Sequence, residues 1–196
     1  MVRSLRPQAG AEEPLQRAFF ARSALVVAPD LLGKILRVGE LAVRIDETEA
    51  YLESDAASHS FHGMTKRNAV MFGEPGYCYV YFVYGMHWCC NVVTGLKGDG
   101  QAVLIRGGTP VAGVETMRAN RQRRKRDADL ANGPGKLTKA LGIQQQHNGR
   151  DLCHDPTFCL TDDGCTVSVI VSTPRIGITR NADKMWRFTA EHHPAT

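Results

Sequence analysis

Residues 44–51, RIDETEAY, put three carboxylates into four positions: Asp46, Glu47 and Glu49. A carboxylate kept ionised among hydrogen-bond donors can act as a general base toward water. On an uninterrupted strand side chains alternate, so Ile45, Glu47, Glu49 and Tyr51 are expected on one face. Taken alone, such a cluster reads more readily as a strand end turned to solvent. The polar stretch that follows, ESDAASHSFHGMTKRN (53–68), shifts the reading because it adds His59, His62, Lys66, Arg67 and Asn68. Four tyrosines, Tyr51, Tyr79, Tyr81 and Tyr84, lie close to the acids in sequence order. Aromatic faces near a carboxylate and cations suit a flat, π-faced ligand such as a nucleobase. Tyr79 or Tyr81 reads equally as core on one face of a sheet. Tyr84 does not, because it falls one residue out of strand period, immediately before Gly85.

Other groups with chemical potential are weaker. Six cysteines are present, yet no C-x2-C pair or similar zinc spacing appears, and His59 and His62 lack a nearby cysteine. Without an apolar leader at the amino terminus, buried free thiols are expected rather than disulfides. The run RQRRKR (121–126) carries five positive charges and reads first as a solvated face. The turn NGPGK could present amides to a phosphate at a helix start, or could be an ordinary turn. A net charge of +4 permits a polyanionic partner without requiring one. The apolar stretch 77–93 is shorter than a membrane-spanning helix needs and contains Gly85, His87 and Asn91. An intracellular protein with no membrane segment is the simple expectation.

These residues need elements to position them. With 196 residues and 43% apolar content the chain can bury a substantial core as one domain, residues 1–196, with 1–13 a loose tail. Residues 14–36 show helical spacing, expected to break at Pro29, with Asp30 capping a short second helix. KILRV and ELAVRIDETEAY read as strands across a turn at Gly39, and 53–68 as an ordered surface loop. GYCYVYFVYG and MHWCCNVVTG form a hairpin around Tyr84 and Gly85, and GQAVLIRGG gives another strand. TPVAGVETMRAN begins a helix with Pro110 near its first turn. LANGPGKLTKALGI is a turn and helix with Pro134 where a missing amide costs little, and CTVSVIVSTPRIGI supplies one or two strands. Strands mostly follow strands. The expected class is therefore α+β, with a curved, mostly antiparallel sheet core, surrounding helices and a protruding hairpin.

The words LLGKIL, ETEAY, ASHS, TKRNAVMF, PGYCYVYFVYGMHWCCN, AVLIRGGTP, ETMR and NGPGKLTKALGI, in that order, resemble the alkyladenine (3-methyladenine or methylpurine) DNA glycosylase family. The resemblance runs from about Leu31 to Ile178. It implies that a damaged purine is flipped out of duplex DNA and its N-glycosidic bond hydrolysed, leaving an abasic site. Within it, Glu49 matches the general base and Arg106 the arginine that helps position the water. Tyr51, His59 and Tyr81 match residues that stack on and bond to the extruded base; Asn91 matches one that excludes guanine, and Ile178 one whose carbonyl holds the water. Tyr84 matches the wedge of a minor-groove hairpin shared with Gly85, Met86 and His87. Lys66, Arg67 and Lys136 are expected as further DNA contacts. His87 and Trp88 stand where relatives often carry other aromatics. No lysine matches an amine nucleophile, so no strand-cleaving step is implied, nor any metal or organic cofactor. The expected partner is double-stranded DNA containing damaged purines, acted on by a monomer in the cytoplasm with the chromosome, or in the nucleus of a eukaryote. The rival reading is a non-catalytic nucleic-acid-binding module, with a zinc-dependent hydrolase as a weaker third.

Overall fold

Runs such as YVYFV and VLI, rich in aromatic and β-branched side chains, suit a pleated sheet. In the computed structural model, which describes residues 12–122 and 126–190, they do form one. The strands are β1 (Glu13–Pro14), β2 (Ile35–Val38), β3 (Leu41–Tyr51), β4 (Cys78–Val83), β5 (His87–Thr94), β6 (Gln101–Ala112), β7 (Phe158–Asp162), β8 (Ile170–Thr173) and β9 (Arg187–Ala190). The helices are α1 (Arg17–Phe20), α2 (Ala24–Asp30), α3 (Val114–Asn120) and α4 (Pro134–Leu141). The curled sheet runs β1-β7-β2-β3-β6-β5-β4, and β9, paired with β8, joins β3. Each of these pairings is antiparallel. The α+β expectation, with its curved antiparallel sheet and projecting β4–β5 hairpin, is met.

Period-two alternation sorts two faces across four strands. Ala50, Val80, Cys90, Val92, Val103 and Ile105 point into the main core, where α2, α3 and α4 contribute Val27, Met117, Leu137 and Leu141. On the other face, Glu49, Tyr51, Tyr79, Tyr81, Asn91, Leu104 and Arg106 share one concavity. A smaller cluster of Met71, Tyr79, Val93 and Ala102 closes its edge. All six cysteines carry free thiols, five of them buried.

Several expectations are corrected. The strand through the acids is not uninterrupted: register shifts flank Glu47 where β3 pairs with β6, and they turn Ile45 into the core, away from Glu49. Pro29 sits inside the last turn of α2 rather than breaking it, and the helix instead starts at Ser23, whose side chain accepts from the Leu25 amide at 3.3 Å. Asp30 ends that helix and pairs with Arg22 at 2.8 Å. Pro110 lies in β6 opposite Val43, beside a further irregularity in the ladder, where a proline without its N–H is tolerated. The loop 53–68 is ordered but only partly superficial, since Asp55, Ser58, Ser60 and Asn68 are buried. Residues 1–11 of the expected tail lie outside the described residues. Glu12, by contrast, grips Arg37 through two 2.7 Å bonds, and Glu13 pairs with Asp162 in the sheet. Residues 123–125 of the basic run also lie outside; Arg126 pairs with Asp129 and Arg121 donates to the Leu130 carbonyl.

Candidate active site

The concave face encloses a cavity of about 400 Å³ that runs from Glu49 to Tyr84. A space of that size has room for a nucleobase and its sugar. At its floor, the Glu49 side chain is fully buried. Its Oε2 accepts from the Tyr51 hydroxyl at 2.8 Å, and its Oε1 accepts from the Ile176 backbone amide at 2.9 Å. Arg106 Nη1 stands 3.3 Å from the same Oε1. A carboxylate offers about four acceptor sites; two accept these hydrogen bonds, Arg106 stands beside Oε1 as an ion pair, and Oε2 keeps room for a further donor. Burial, then the charge of Glu49, pushes the Tyr51 phenol up, which keeps it protonated and donating.

Arg106, itself 8% exposed, is bonded through Nε to Glu47 at 2.7 Å. Glu47 takes a second bond from Arg187 Nε at 2.6 Å, and Arg187 is steadied by Thr173 at 2.8 Å. Burial alone would raise the Glu47 carboxyl, but the bonds from Arg187 and Arg106 outweigh it and hold it below the usual range. Burial likewise works against the Arg106 charge, and Glu49 and Glu47 more than offset it.

Aromatic groups form the walls. Tyr79 and Tyr81 point the same way because β4 stays regular to Val83. The His59 ring stands edge-on to Tyr81 at 4.4 Å, and its Nδ1 shares a hydrogen bond with the Tyr79 hydroxyl at 3.0 Å. Burial of that ring, then the charge of Arg67, lowers its pKa and favours the neutral imidazole. The sign follows: its contribution to stability is present above the ordinary histidine value and is lost as pH falls through the depressed one. Burial pushes the Tyr79 phenol up to about 12. Asn91 is fixed across the hairpin by a 3.0 Å bond from Nδ2 to the Tyr79 carbonyl.

At the mouth, the hairpin turns through Tyr84 at φ 51° and Gly85 at φ 65°, with the Met86 amide bonded to the Val83 carbonyl. Glycine adopts that conformation readily; tyrosine does so only at a cost of about 1–3 kcal/mol. Tyr84 is 77% exposed and Met86 69%. His87 packs on the start of α4, where a Cβ at Gly135 would come within 2.7 Å of the imidazole. The NGPGK turn therefore serves as a seat for the hairpin base.

Of the residues singled out in the sequence, Glu49, Arg106, Tyr51, His59, Tyr81, Asn91 and Ile178 all line the cavity, as do Tyr84 and His87. Gly85 and Met86 lie on the tip beyond it, and Lys66, Arg67 and Lys136 are exposed outside it, Lys136 bonded to Asn132. The Ile176 amide was not foreseen. A backbone donor leaves no side-chain signature, and here it, with the Tyr51 hydroxyl, holds Glu49. Among the described residues, no group of three or more His, Cys, Asp or Glu side chains could hold a metal ion, and no helix is long and apolar enough to cross a membrane.

A model of the methylpurine-DNA glycosylase family matches residues 18–194. A protein of Burkholderia lata, provisionally named a 3-methyladenine DNA glycosylase, is 49% identical over 180 residues, or 89% of this chain and 86% of that one. One of Rhodopseudomonas palustris with the same name is 52% identical over 176 residues, with the same coverage. A third, from the archaeon Methanocella arvoryzae, is 45% identical over 188 residues and covers 92% and 94% of the two chains.

Proposed function

The chain belongs to the methylpurine-DNA glycosylase family, and from that premise we propose how its cavity performs base excision. It is a DNA glycosylase of base-excision repair, a hydrolase acting on the N-glycosyl bonds of alkylated purines. A damaged purine swings out of the duplex and enters between Tyr51, His59 and Tyr81. Water bound to the open site on Glu49 Oε2 gives its proton to that carboxylate, and its oxygen attacks C1′ of the deoxyribose. The bond from C1′ to the purine nitrogen breaks and its electron pair leaves with the base. Positive charge builds on the sugar, so the Glu49 anion also stabilises the transition state. Arg106, with Nη1 beside Glu49, helps to hold the water. Asn91 opposes the exocyclic amine of guanine, and Tyr84 fills the gap left in the stack. Lys66, Arg67 and Lys136 meet phosphates.

The observation that carries this reading is a fully buried carboxylate, held by Tyr51 and the Ile176 amide with Arg106 beside it, on the floor of an aromatic cavity with room for a base. The substrate range we propose includes 3-methyladenine and 7-methylguanine, which leave readily because they are cationic, together with hypoxanthine and ethenoadenine. The protein acts as a monomer, as one domain, on chromosomal DNA. The test is base release from duplexes carrying one defined lesion each, with chelator present. Free base and an intact strand that breaks only under alkali are expected. A nicked product before alkali treatment, or activity that chelator abolishes, would refute the mechanism.

A further inference from the structure

We propose that Glu47, anchored by Arg187, is a positioning residue that keeps Arg106 from closing onto Glu49. The proposal rests on Glu49 being the general base. Four side chains form a row of alternating charge, Arg187, Glu47, Arg106 and Glu49, drawn from β9, β3, β6 and β3. The two contacts of Arg106 are unequal: Nε meets Glu47 at 2.7 Å, whereas Nη1 stands 3.3 Å from Glu49. An arginine with one carboxylate partner prefers the two-pronged pairing, with both bonds short. The short bond from Nε to Glu47 holds the guanidinium by one edge and keeps it set off from Glu49. Glu47 can hold it only while its own charge is satisfied, and Arg187 does this at 2.6 Å. Arg187 is brought there by the ladder in which Glu49 pairs with Arg187 and Glu47 with Thr189.

Without the Glu47 charge, Arg106 has Glu49 as its one anionic partner among these four residues. Its guanidinium would then cover the acceptor site meant for water and stabilise the carboxylate as an anion, making it a poorer base. The charged and titratable groups around Glu49 are Arg106 on β6, Tyr51 and Glu47 on β3, Cys89 on β5, and Arg187 on β9. Arg175, paired with buried Asp55, lies with its guanidinium 4.6 Å from the centre of the Tyr51 ring. Of these, Glu47 is the one that competes for Arg106.

The experiment measures single-turnover base release against pH for wild type, Glu47→Gln, Arg187→Lys and Glu49→Gln, with melting temperature and affinity for lesion duplex alongside. Glu47→Gln should lower the plateau rate by about ten- to a hundredfold and move the acid limb down by about one pH unit. Duplex affinity should be kept. Arg187→Lys keeps the cation but loses the planar fork, and should shift both quantities in the same direction by less. If Glu47→Gln does not fold, the Arg187→Lys profile decides. A lower melting temperature with an unmoved limb would mean that Glu47 is only structural. A shifted limb with an unchanged plateau would mean that it acts through its charge alone. Either result overturns the positioning role. If Glu49→Gln still turns over, the reading of the site fails and this inference with it. If that variant is dead and the Glu47→Gln profile matches wild type, the inference alone fails.

Discussion

The floor of the cavity and the tip of the hairpin are built on opposite principles. Glu49 is fully buried and held by Tyr51, Ile176 and Arg106, which come from β3, the loop after β8, and β6. Tyr84 is 77% exposed, sits in a backbone conformation costly for its type, and is followed by the equally bare Met86. Charge that develops during a reaction is stabilised best by groups already in place, because reorientation then costs nothing at the moment of reaction. A side chain that must enter a base stack has to be left without partners in the free protein, or breaking those contacts would subtract from binding. Rigidity at one end and unsatisfied surface at the other are complementary demands of base extrusion.

Two substitutions test that contrast most strongly. Glu49→Gln keeps the shape of the floor and removes the base, so release should fall by about a hundred- to ten-thousandfold while lesion-duplex affinity is retained. Turnover equal to wild type would end the assignment. Tyr84→Ser should do the reverse. Base–aromatic stacking is worth roughly 1–3 kcal/mol, so affinity for a paired lesion should drop about ten- to a hundredfold. A mismatched lesion is cheaper to extrude and should lose less. Equal losses on paired and mismatched duplexes would show that Tyr84 is not the wedge.

The two regions also differed in how far the sequence disclosed them. The hairpin was legible because its signals are local: alternation across YVYFV, then an aromatic out of period beside glycine. ETEAY likewise placed Glu49 and Tyr51 on one face. The bulge at Asp46 and Glu47 was not legible, since an extra residue in a ladder is defined by the partner strand, and it reversed the side on which Ile45 was expected. Strands β7 and β9 were missed for the same reason. They are short, and β7 finds its partners, and β9 its partner β3, more than a hundred residues away in sequence. Arg187 reaches Glu47 across 140 positions. Pro29 read as a breaker and Pro110 as the first turn of a helix because propensity is local, whereas α2 loses one bond near its end to Pro29 and Pro110 falls at an irregular position of the β3–β6 ladder.

A smaller effect is expected at the wall between floor and tip. Asn91→Ser shortens a side chain that β4 holds in place through the Tyr79 carbonyl. Room for an exocyclic amine should relax the rejection of guanine by about tenfold, within the range one small group commands in a pocket. Hypoxanthine, which lacks that amine, should be released at nearly the wild-type rate. If the ratio between the two bases does not move, discrimination lies elsewhere in the cavity.

The smallest expected effect has the opposite sign from the rest. If the hairpin tip holds strain kept for use on DNA, relieving it should stabilise the free protein. Tyr84→Asn suits this purpose, because asparagine tolerates positive φ far better than an aromatic side chain does. It also avoids the added chain entropy that glycine would bring to the unfolded state. Little packing is lost, since the tyrosine is 77% exposed. Relief of about 1 kcal/mol should raise the melting temperature by about 2–4 °C in a chain of this length, measured without DNA. The same variant should bind lesion duplex as weakly as Tyr84→Ser, because both lack the aromatic surface. Stability gained and binding lost at one residue would mark the tip as strained for function. A melting temperature that falls would instead show that the Tyr84 ring packs usefully in the free protein, and the contrast between floor and tip would be one of exposure without strain.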